Sequence, residues 1–377
     1  MNSKKWIKIF LIFSVLGVGF AGAVNFVVDP GYIYLKKNFN NNVDEYAKKL
    51  FTSEKGLIAT GWNERVVKSA MAKYAGNFDC VILGSSHIIQ ISQVRHTGNI
   101  QQVCPKLLNL GVSGASLEDL IVFTDIIFEN DSKPKKVFID IAPWTLKFGM
   151  DKRYQINQFH YDNLVNILND KTKKLNYFDY KASLIKNIFN LEYFINSLKE
   201  LKTAFKISKI KYPKTDFQYV DGYIEAINLV DGSYLYDSKT IVKYKEEIQN
   251  IKAGGGDYKI DGKIYDKDAV ELFTSMLDLY QSKEIEVNFI LTPYHPNVFK
   301  AGLTKPVEHI HEIEKLAHQI SNDYKIKIYG SFFPDNLGCK NEEFFDFMHA
   351  SGDCLNKIKF SSLKFSSEAQ KPSVFMK

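Results

Sequence analysis

Two short segments carry side chains suited to acyl-transfer chemistry. The segment Gly84-Ser85-Ser86-His87 follows the apolar run Asp79 to Leu83, and a glycine there allows a sharp turn that presents a hydroxyl. Far along the chain, Asp346 precedes His349 by three residues, a spacing at which a carboxylate can reach the imidazole and fix its tautomer. A histidine held in this way can remove the proton of a serine hydroxyl. The two segments are therefore candidates for a nucleophile and its base.

A third segment offers the backbone groups that such a reaction needs. The sequence Asn109-Leu110-Gly111-Val112-Ser113-Gly114 follows another short apolar run. Its glycines, Gly111 and Gly114, let backbone N–H groups approach a ligand closely, as an oxyanion site requires. Taken singly, each of the three segments has an ordinary structural explanation as a tight turn, a helix cap or a surface helix, and for the glycine segment the tight turn is the better one. Their order along the chain is the more specific signal.

Two other side chains are candidates for substrate binding. His295 follows the apolar run Val287 to Leu291, and loops that leave strand ends commonly bind ligands. A plain loop histidine between prolines is the alternative. Trp144 and the tyrosines of residues 219–236 are candidates to stack on sugar rings, with core packing as the alternative.

Alternating strands and helices must position these segments. Short apolar runs predict about five strands, and helical periodicity predicts the helices between them. This alternation predicts βαβ units and a mostly parallel sheet covered on both faces, an α/β fold. Open sheets of this kind bind ligands beyond the carboxyl ends of their strands, where the three segments should meet. The predicted strands are 79–83, 107–110, 136–141, 287–291 and 325–329, and the predicted helices are 62–74, 116–128, 269–280 and 307–320.

The chain is expected to divide into four parts. Residues 1–29 form a membrane anchor, and residues 30–76 form a linker with a leading helix. Residues 77–354 form the α/β domain, which a lysine-rich stretch of residues 151–262 interrupts as an insertion. Residues 355–377 form a C-terminal tail, and its part after Phe360 is rich in serine and lysine, a composition that is often poorly ordered.

The N-terminus indicates the cellular compartment. Lys4, Lys5 and Lys8 precede an uncharged apolar stretch from Ile9 to Val28, long enough to cross a bilayer as a helix. The positive-inside rule places the lysines in the cytoplasm and the rest of the chain outside it, in the periplasm or at the cell surface. A cleaved signal peptide with a small-residue site at Ala21 to Ala23 is the alternative. We favour the anchor because the apolar run continues past that site.

Composition excludes some classes of protein. The 377 residues carry a net charge of +6, but dispersed lysines supply nearly all of the positive charge, since Arg65, Arg95 and Arg153 are the only arginines. A nucleic-acid binder would cluster its basic residues within a recognisable module. We therefore expect no nucleic-acid partner.

The cysteines and histidines predict no metal site and no cofactor. Four cysteines are too few for a disulfide scaffold, and their spacing matches no zinc pattern. Cys339 and Cys354 are candidates for one disulfide, and Cys80 suits a small buried apolar position. The histidines of the predicted helix 307–320 have no acidic ligand at zinc spacing.

In the order of its three segments, the chain resembles the SGNH (GDSL-like) hydrolase and acyltransferase superfamily. The resemblance runs from about Asp79 to His349 and implies a three-layer flavodoxin-like fold. It makes Ser86, rather than Ser85, the nucleophile and matches Gly111 to the glycine of the second family block. It matches Asp346 and His349 to the family's Asp-x-x-His block. The third block normally supplies an oxyanion asparagine, whereas this chain has Asp140-Ile141-Ala142-Pro143-Trp144.

The chain also resembles a membrane-anchored subgroup of this superfamily that is associated with bacterial surface polysaccharides. The features that carry this resemblance are the anchor, the Gly-Ser-Ser-His turn and the Ile141 to Trp144 segment. That likeness implies transfer or removal of O-acyl groups on a glycan outside the cytoplasm, with a membrane protein as a candidate acyl donor. Three short segments do not separate an esterase from a transferase. A non-catalytic binding or scaffold module on the same fold is the alternative of another class. We favour the enzyme because serine, histidine and aspartate all stand at the expected places.

Overall fold

The computed structural model of the chain describes residues 3–28, 40–59, 63–129, 133–169, 188–191, 193–195, 197–198, 210–214, 217–249, 263–300 and 304–360. The helices named here are α1 Ser3–Val28, α2 Asn40–Phe51, α3 Glu64–Tyr74, α4 Leu117–Glu129, α5 Gln158–Asn169, α6 Ser238–Gln249, α7 Lys267–Ser282, α8 Pro296–Lys300, α9 Thr304–Tyr324, α10 Pro334–Leu337 and α11 Gly352–Leu355. The strands are β1 Leu57–Ile58, β2 Cys80–Leu83, β3 Leu107–Asn109, β4 Lys136–Asp140, β5 Ile227–Asn228, β6 Tyr234–Leu235, β7 Glu286–Leu291 and β8 Lys327–Gly330. Short 3₁₀ turns lie at Ser86–Ile88, Thr97–Gln102, Lys152–Asn157 and Asn341–Glu343.

A five-stranded sheet forms the centre of the fold. Its strand order is β3-β2-β4-β7-β8, and all neighbouring strands are parallel. The predicted α/β class and the five predicted strands are confirmed, with boundaries within two residues. The match is close because a strand buried on both faces is a nearly continuous apolar run, which is easily seen in a sequence.

Alternation along the strands divides the core into two layers. Val81 and Leu83 of β2 pack with helices α3, α4, α7 and α9 on one face of the sheet. Cys80 and Ile82 point to the other face, as the period of two along a strand requires. Short 3₁₀ turns and loops contribute most of that second layer, including the residues around the Asp346 loop, rather than the long helices expected on both faces.

Helix α1 is, within the described part of the chain, the one helix long and apolar enough to cross a membrane. Its 26 residues span about 39 Å at the helical rise, more than the roughly 30 Å of a hydrocarbon core. Most of its large apolar side chains are exposed. The predicted N-terminal apolar helix is therefore confirmed as a candidate membrane span.

Residues 40–58 belong to the folded domain, so the prediction of a linker there was wrong. Helix α2 buries Val43, Tyr46 and Leu50 in the main core beside α3. Strand β1 pairs antiparallel with β5, which in turn pairs with β6, both from the insertion. A two-residue strand whose partner lies far along the chain has no local pattern that predicts it.

The described parts of the insertion and of the C-terminal stretch belong to the folded domain. The described part of residues 151–262 contains α5, β5, β6 and α6, whereas Gly254-Gly255-Gly256 lies outside the described residues. Leu355, Ile358 and Phe360 are buried in the second core layer, so the domain extends past the predicted boundary at residue 354. The chain after Phe360 lies outside the described residues.

All four cysteines are paired. Cys339 is bonded to Cys354, the pair considered from the sequence, with their Cα atoms 5.3 Å apart. Cys80 is bonded to Cys104, with their Cα atoms 5.7 Å apart. Cys80 is buried, as expected, but it is half of a disulfide rather than an isolated apolar residue. The Cys339–Cys354 loop encloses the whole Asp346 to His349 segment.

Candidate active site

Ser86, His349 and Asp346 form one hydrogen-bonded chain. Nε2 of His349 lies 2.8 Å from Oγ of Ser86, and Nδ1 lies 2.6 Å from Oδ2 of Asp346. Ser86 begins the 3₁₀ turn directly after β2, while Asp346 and His349 lie in the loop before α11. The arrangement is that of a nucleophile, a base and a carboxylate that orients the base.

The Asp346 carboxylate is held by its own loop. Oδ1 accepts the backbone N–H groups of Met348 and His349, each at 2.8 Å, while Oδ2 faces the imidazole. Burial alone would raise the pKa of Asp346, but the charge of His349 and these hydrogen bonds outweigh it, so the pKa is lowered below its ordinary value. An ionised Asp346 keeps the proton of His349 on Nδ1 and leaves Nε2 free to accept one.

Ser85 has a different environment from Ser86. Its hydroxyl and its backbone N–H donate to the same oxygen of Asp140, Oδ2, at 2.7 and 3.0 Å. A Cβ atom at Gly84 would overlap the Asp140 side chain, so glycine is the residue that fits between β2 and the end of β4. Asp140, at the end of β4, secures the turn that presents Ser86. Burial raises the pKa of Asp140 to about 6, with the Ser85 hydrogen bonds opposing that effect.

Gly111 lies beside Ser86 in the cleft, but its N–H is already used. The group donates to Oδ1 of Asn109 at 2.9 Å, and the Asn109 amide nitrogen donates to the carbonyls of Ile88 and Ile91. The free oxyanion donor expected at Gly111 is therefore not what the structure shows. An asparagine two residues before a glycine is a common local turn, so this outcome had a signal in the sequence.

His87 is a buried, neutral ring that packs against the His349 imidazole. Its ring centroid lies 5.8 Å from that of His349 and 5.3 Å from that of Trp144. Both ring nitrogens are buried without a hydrogen-bond partner among the described residues. Burial, with the nearby His349 charge as a second cause, lowers the pKa of His87 to about 3. His87 therefore adds no positive charge next to the base.

Trp144 and His295 do not line the cleft, in contrast to the expectation for both. Trp144 is buried and donates its indole N–H to the carbonyl of Ala115 at 2.8 Å. His295 is buried, accepts the N–H of Asn297 on Nδ1 at 3.0 Å, and donates its own backbone N–H to Phe347. Both residues leave strand ends at the correct edge of the sheet, but their side chains turn into the core and support the loops.

Gly114 has a structural role rather than a binding one. Its φ is +61°, and a Cβ atom would lie 2.9 Å from the Arg153 guanidinium. Arg153 and the buried Arg65 both donate to the carbonyl of Ser113. Arg65 also forms a bidentate ion pair with Asp119 at the start of α4. This network secures the loop that contains Gly111.

A cleft of about 560 Å³ opens onto Ser86 and His349. Its walls combine phenol rings, amides and charged groups, a mixture typical of sites for polar ligands with flat faces. The residues that line it, besides Ser86, Gly111 and His349, are Tyr46, Ala59, Asn63, Glu64, Val67, Lys68, Ser113, Ile89, Arg153, Asn228, Tyr234, Tyr236, Thr240 and Tyr244. Tyr234 and Tyr236 belong to the tyrosine stretch considered from the sequence.

The insertion forms one wall of this cleft. The ring of Tyr244 in α6 stacks on the His349 imidazole at a centroid distance of 5.5 Å and an angle of 9°. Tyr236 meets the same imidazole edge-on at 6.2 Å. The backbone N–H of Tyr234 donates to Ile89, which joins the insertion to the turn that carries Ser86. Sequence periodicity located the insertion but contained no signal for this docking.

Lys68 of α3 is a buried cation on the cleft wall. Its ammonium donates to the carbonyls of Asn109 and Gly232. Burial lowers the pKa of Lys68 to about 8, against the opposing effect of the Glu64 and Asp231 carboxylates. The residue joins the Gly111 loop to the insertion. As one of many lysines in the sequence, it could not be singled out before the structure.

One group of side chains has the donors to hold a metal ion. The ligand atoms of Asp125, Glu129 and His160 lie within 4.8 Å of one another, between α4 and α5. Asp125 already accepts hydrogen bonds from His160 and Asn163, and none of these residues lines the cleft. The group therefore has no part in the chemistry of Ser86.

No protein-family profile matches this chain, and no curated protein is significantly similar to it in sequence. Its function must therefore be inferred from the geometry and chemistry of the cleft.

Proposed function

We propose that this protein is a membrane-anchored serine acyltransferase or esterase that acts on O-acyl groups of a bacterial surface polysaccharide outside the cytoplasm. The hydrogen-bonded chain Ser86–His349–Asp346 at the mouth of the cleft is the observation that carries the proposal. The strand order of the central sheet, counted along the chain as 2-1-3-4-5, is that of flavodoxin-like folds. That order supports the SGNH-like interpretation.

In the first half of the reaction, Ser86 Oγ attacks the carbonyl carbon of an ester or thioester. His349 Nε2 takes the hydroxyl proton, and Asp346 stabilises the imidazolium that results. The carbonyl electrons move onto oxygen and form a tetrahedral oxyanion, which the N–H of Ser86 at the start of its 3₁₀ turn would bind. Collapse expels the leaving group, which takes the proton from His349, and leaves an acyl-serine.

In the second half, an acceptor hydroxyl attacks the acyl-serine after His349 removes its proton. Water as the acceptor makes the protein an esterase, whereas a sugar hydroxyl makes it a transferase. Tyr234 and Tyr244, which line the cleft and are partly exposed, offer ring surface to a sugar acceptor. The wall that the insertion builds over His349 favours transfer, because excluding water slows hydrolysis of the acyl-serine.

The location of the site follows from the anchor. Lys4, Lys5 and Lys8 at the cytoplasmic end of α1 would place the cleft in the periplasm or at the cell surface. An acyl donor there must itself reach the outer face of the membrane. A membrane protein that carries an acyl group is therefore the donor partner that we propose, and a surface glycan is the acceptor.

A fluorophosphonate probe tests the proposal directly. The full chain in detergent is treated with the probe, and the adduct is located by mass spectrometry, with Ser86→Ala and His349→Ala as comparison variants. We expect an adduct on Ser86 that both variants lose while their unfolding temperature stays close to that of the wild type. Labelling at Ser85, or labelling of Ser86 that persists without His349, would contradict the mechanism.

A binding or scaffold module is the second candidate, and one observation favours it. The Gly111 N–H donates to Asn109, and the strand end 140–144 lacks the asparagine that the third block of the resembled family supplies, so the oxyanion has fewer donors than a typical member of that family offers. Absence of any adduct on the folded wild-type protein would favour this module over the enzyme.

A further inference from the structure

A segment of the insertion packs against the end of the membrane-spanning helix. Asn25, three residues before the end of α1, is fully buried, and its amide nitrogen donates to the carbonyls of Ile188 and Asn190 at 2.7 and 3.3 Å. The hydroxyl of Ser197 donates to Oδ1 of Asn25 at 2.8 Å. An asparagine in an apolar span is costly unless its polar atoms are satisfied. Here the insertion supplies every one of these partners.

Close packing of small and aromatic groups accompanies these hydrogen bonds. A Cβ atom at Gly22 would lie 3.0 Å from the ring of Phe189, so the two elements approach as closely as glycine allows. The rings of Phe20 and Phe194 meet edge-on at 6.5 Å. Gly22 and Asn25 are one helical turn apart, so one face of α1 is covered. This contact also argues against removal of α1 as a signal peptide.

The side of this segment that faces away from α1 is apolar and uncovered. Phe194 donates its backbone N–H to Asn190, and Ser197 its hydroxyl to Tyr193, both across four residues as in a helix. The exposed side chains follow helical spacing on one face, with Leu191 at 71%, Ile195 at 45% and Leu198 at 49% exposure. Phe189 packs its ring against Gly22 on the α1 side and is itself 57% exposed.

We propose that the described residues of this segment, 188–191, 193–195 and 197–198, lie in the outer interfacial layer of the bilayer, as a second membrane-contacting element beside α1. The surface they offer is continuous with the exposed apolar surface of α1, where Phe20, Phe26 and Val27 are 64%, 45% and 59% exposed. The lipid that covers the outer end of α1 must therefore also meet this segment. An amphipathic segment with one apolar face is the form that lies in the plane of a membrane interface. The inference depends on the span and not on the chemistry of Ser86.

Spin-label accessibility tests the proposal in the full chain. The protein is reconstituted into vesicles of phosphatidylcholine and phosphatidylglycerol with a nitroxide on Ile195→Cys, and collisions with oxygen and with a water-soluble nickel chelate are compared. All native cysteines are paired, so the label attaches only to the introduced thiol. Ile224→Cys is the matched control, because Ile224 is an exposed apolar residue of the same insertion, at 66%. Val15→Cys on α1 provides the reference for lipid.

We expect the ratio of oxygen to nickel collisions at residue 195 to approach that at residue 15 and to exceed that at residue 224 several-fold. A label on Leu198→Cys should behave like that on residue 195. Nickel accessibility at residue 195 equal to that at residue 224 would overturn the proposal, because the segment would then lie in water. Low accessibility to both reagents would also overturn it, because a protein surface rather than lipid would cover the segment.

Discussion

Asp346→Asn is the substitution whose effect follows most directly from the geometry. Oδ1 of Asp346 accepts two backbone N–H groups, while Oδ2 lies 2.6 Å from Nδ1 of His349. An asparagine has only one acceptor oxygen, and that oxygen must face the two backbone donors, because leaving a buried donor unpaired costs about 1–3 kcal/mol. The amide NH₂ then faces the imidazole. Nδ1 becomes an acceptor and Nε2 carries the proton.

This tautomer cannot take a proton from Ser86, whose Oγ lies 2.8 Å from Nε2. A wrong tautomer in a serine, histidine and aspartate triad reduces the rate by about 10⁴-fold, which corresponds to about 5.5 kcal/mol of activation free energy. We therefore expect the second-order rate constant for fluorophosphonate labelling of Ser86 to fall by about that factor at pH 7.5.

The measurement needs a matched control and a check of folding. Asp353→Asn removes an exposed carboxylate from the same disulfide-closed loop and should label at the wild-type rate. The thermal unfolding midpoint of each variant shows whether the fold is retained. Labelling of folded Asp346→Asn within about tenfold of the wild type would refute the argument, because a tautomer defect costs about 10⁴-fold.

Other perturbations address a buried carboxyl, a disulfide and an aromatic ring. Because burial raises the folded-state pKa of Asp140 from 3.8 to about 6, this group stabilises the fold at low pH and loses that contribution as pH rises through about 6. The free energy of unfolding in urea is measured for the wild type and for Asp140→Asn at pH 4 and at pH 7.5. The stability advantage of the wild type over the variant should fall by about 2.5 kcal/mol between these two pH values. An advantage that does not change with pH would contradict the raised pKa. Replacing Cys339 and Cys354 together by serine should lower the free energy of unfolding by about 3 kcal/mol, because the disulfide closes a loop of 15 residues. An unchanged midpoint of urea unfolding would show that the bond does not constrain the unfolded chain. The third perturbation is Tyr244→Ala, assayed with p-nitrophenyl acetate as acyl donor and a soluble oligosaccharide as acceptor. This variant should raise the ratio of free acetate to acetylated sugar several-fold, because removing the ring stacked on His349 lets water reach the imidazole. Tyr244→Phe should keep the wild-type ratio, and equal ratios in all three proteins would argue against a shielding role.

Local patterns in the sequence determined the main elements of the fold. The five central strands are short apolar runs bounded by glycine, proline or charge, and such runs remain visible without any knowledge of their partners. The apolar stretch of α1 needed only its length and composition. The contact between Asp346 and His349 was also predictable, because three residues of separation bring the two side chains within reach. The turn that occupies the Gly111 N–H is equally local and was available in the Asn-Leu-Gly order.

Tertiary structure alone decided which of the candidate side chains meet. Ser86 and His349 are 263 residues apart, and no local pattern shows that these two side chains meet. Nor does any local pattern show that His295, which follows another strand of the same sheet, turns into the core. The linker prediction for residues 40–58 was wrong for the same reason, because β1 gains its hydrogen bonds from the distant β5. The docking of Tyr244 on the imidazole and of Ser197 on Asn25 likewise depends on surfaces far apart in the chain. Periodicity and spacing specify which way a residue faces within its own element, whereas the packing of elements against one another determines what it then contacts.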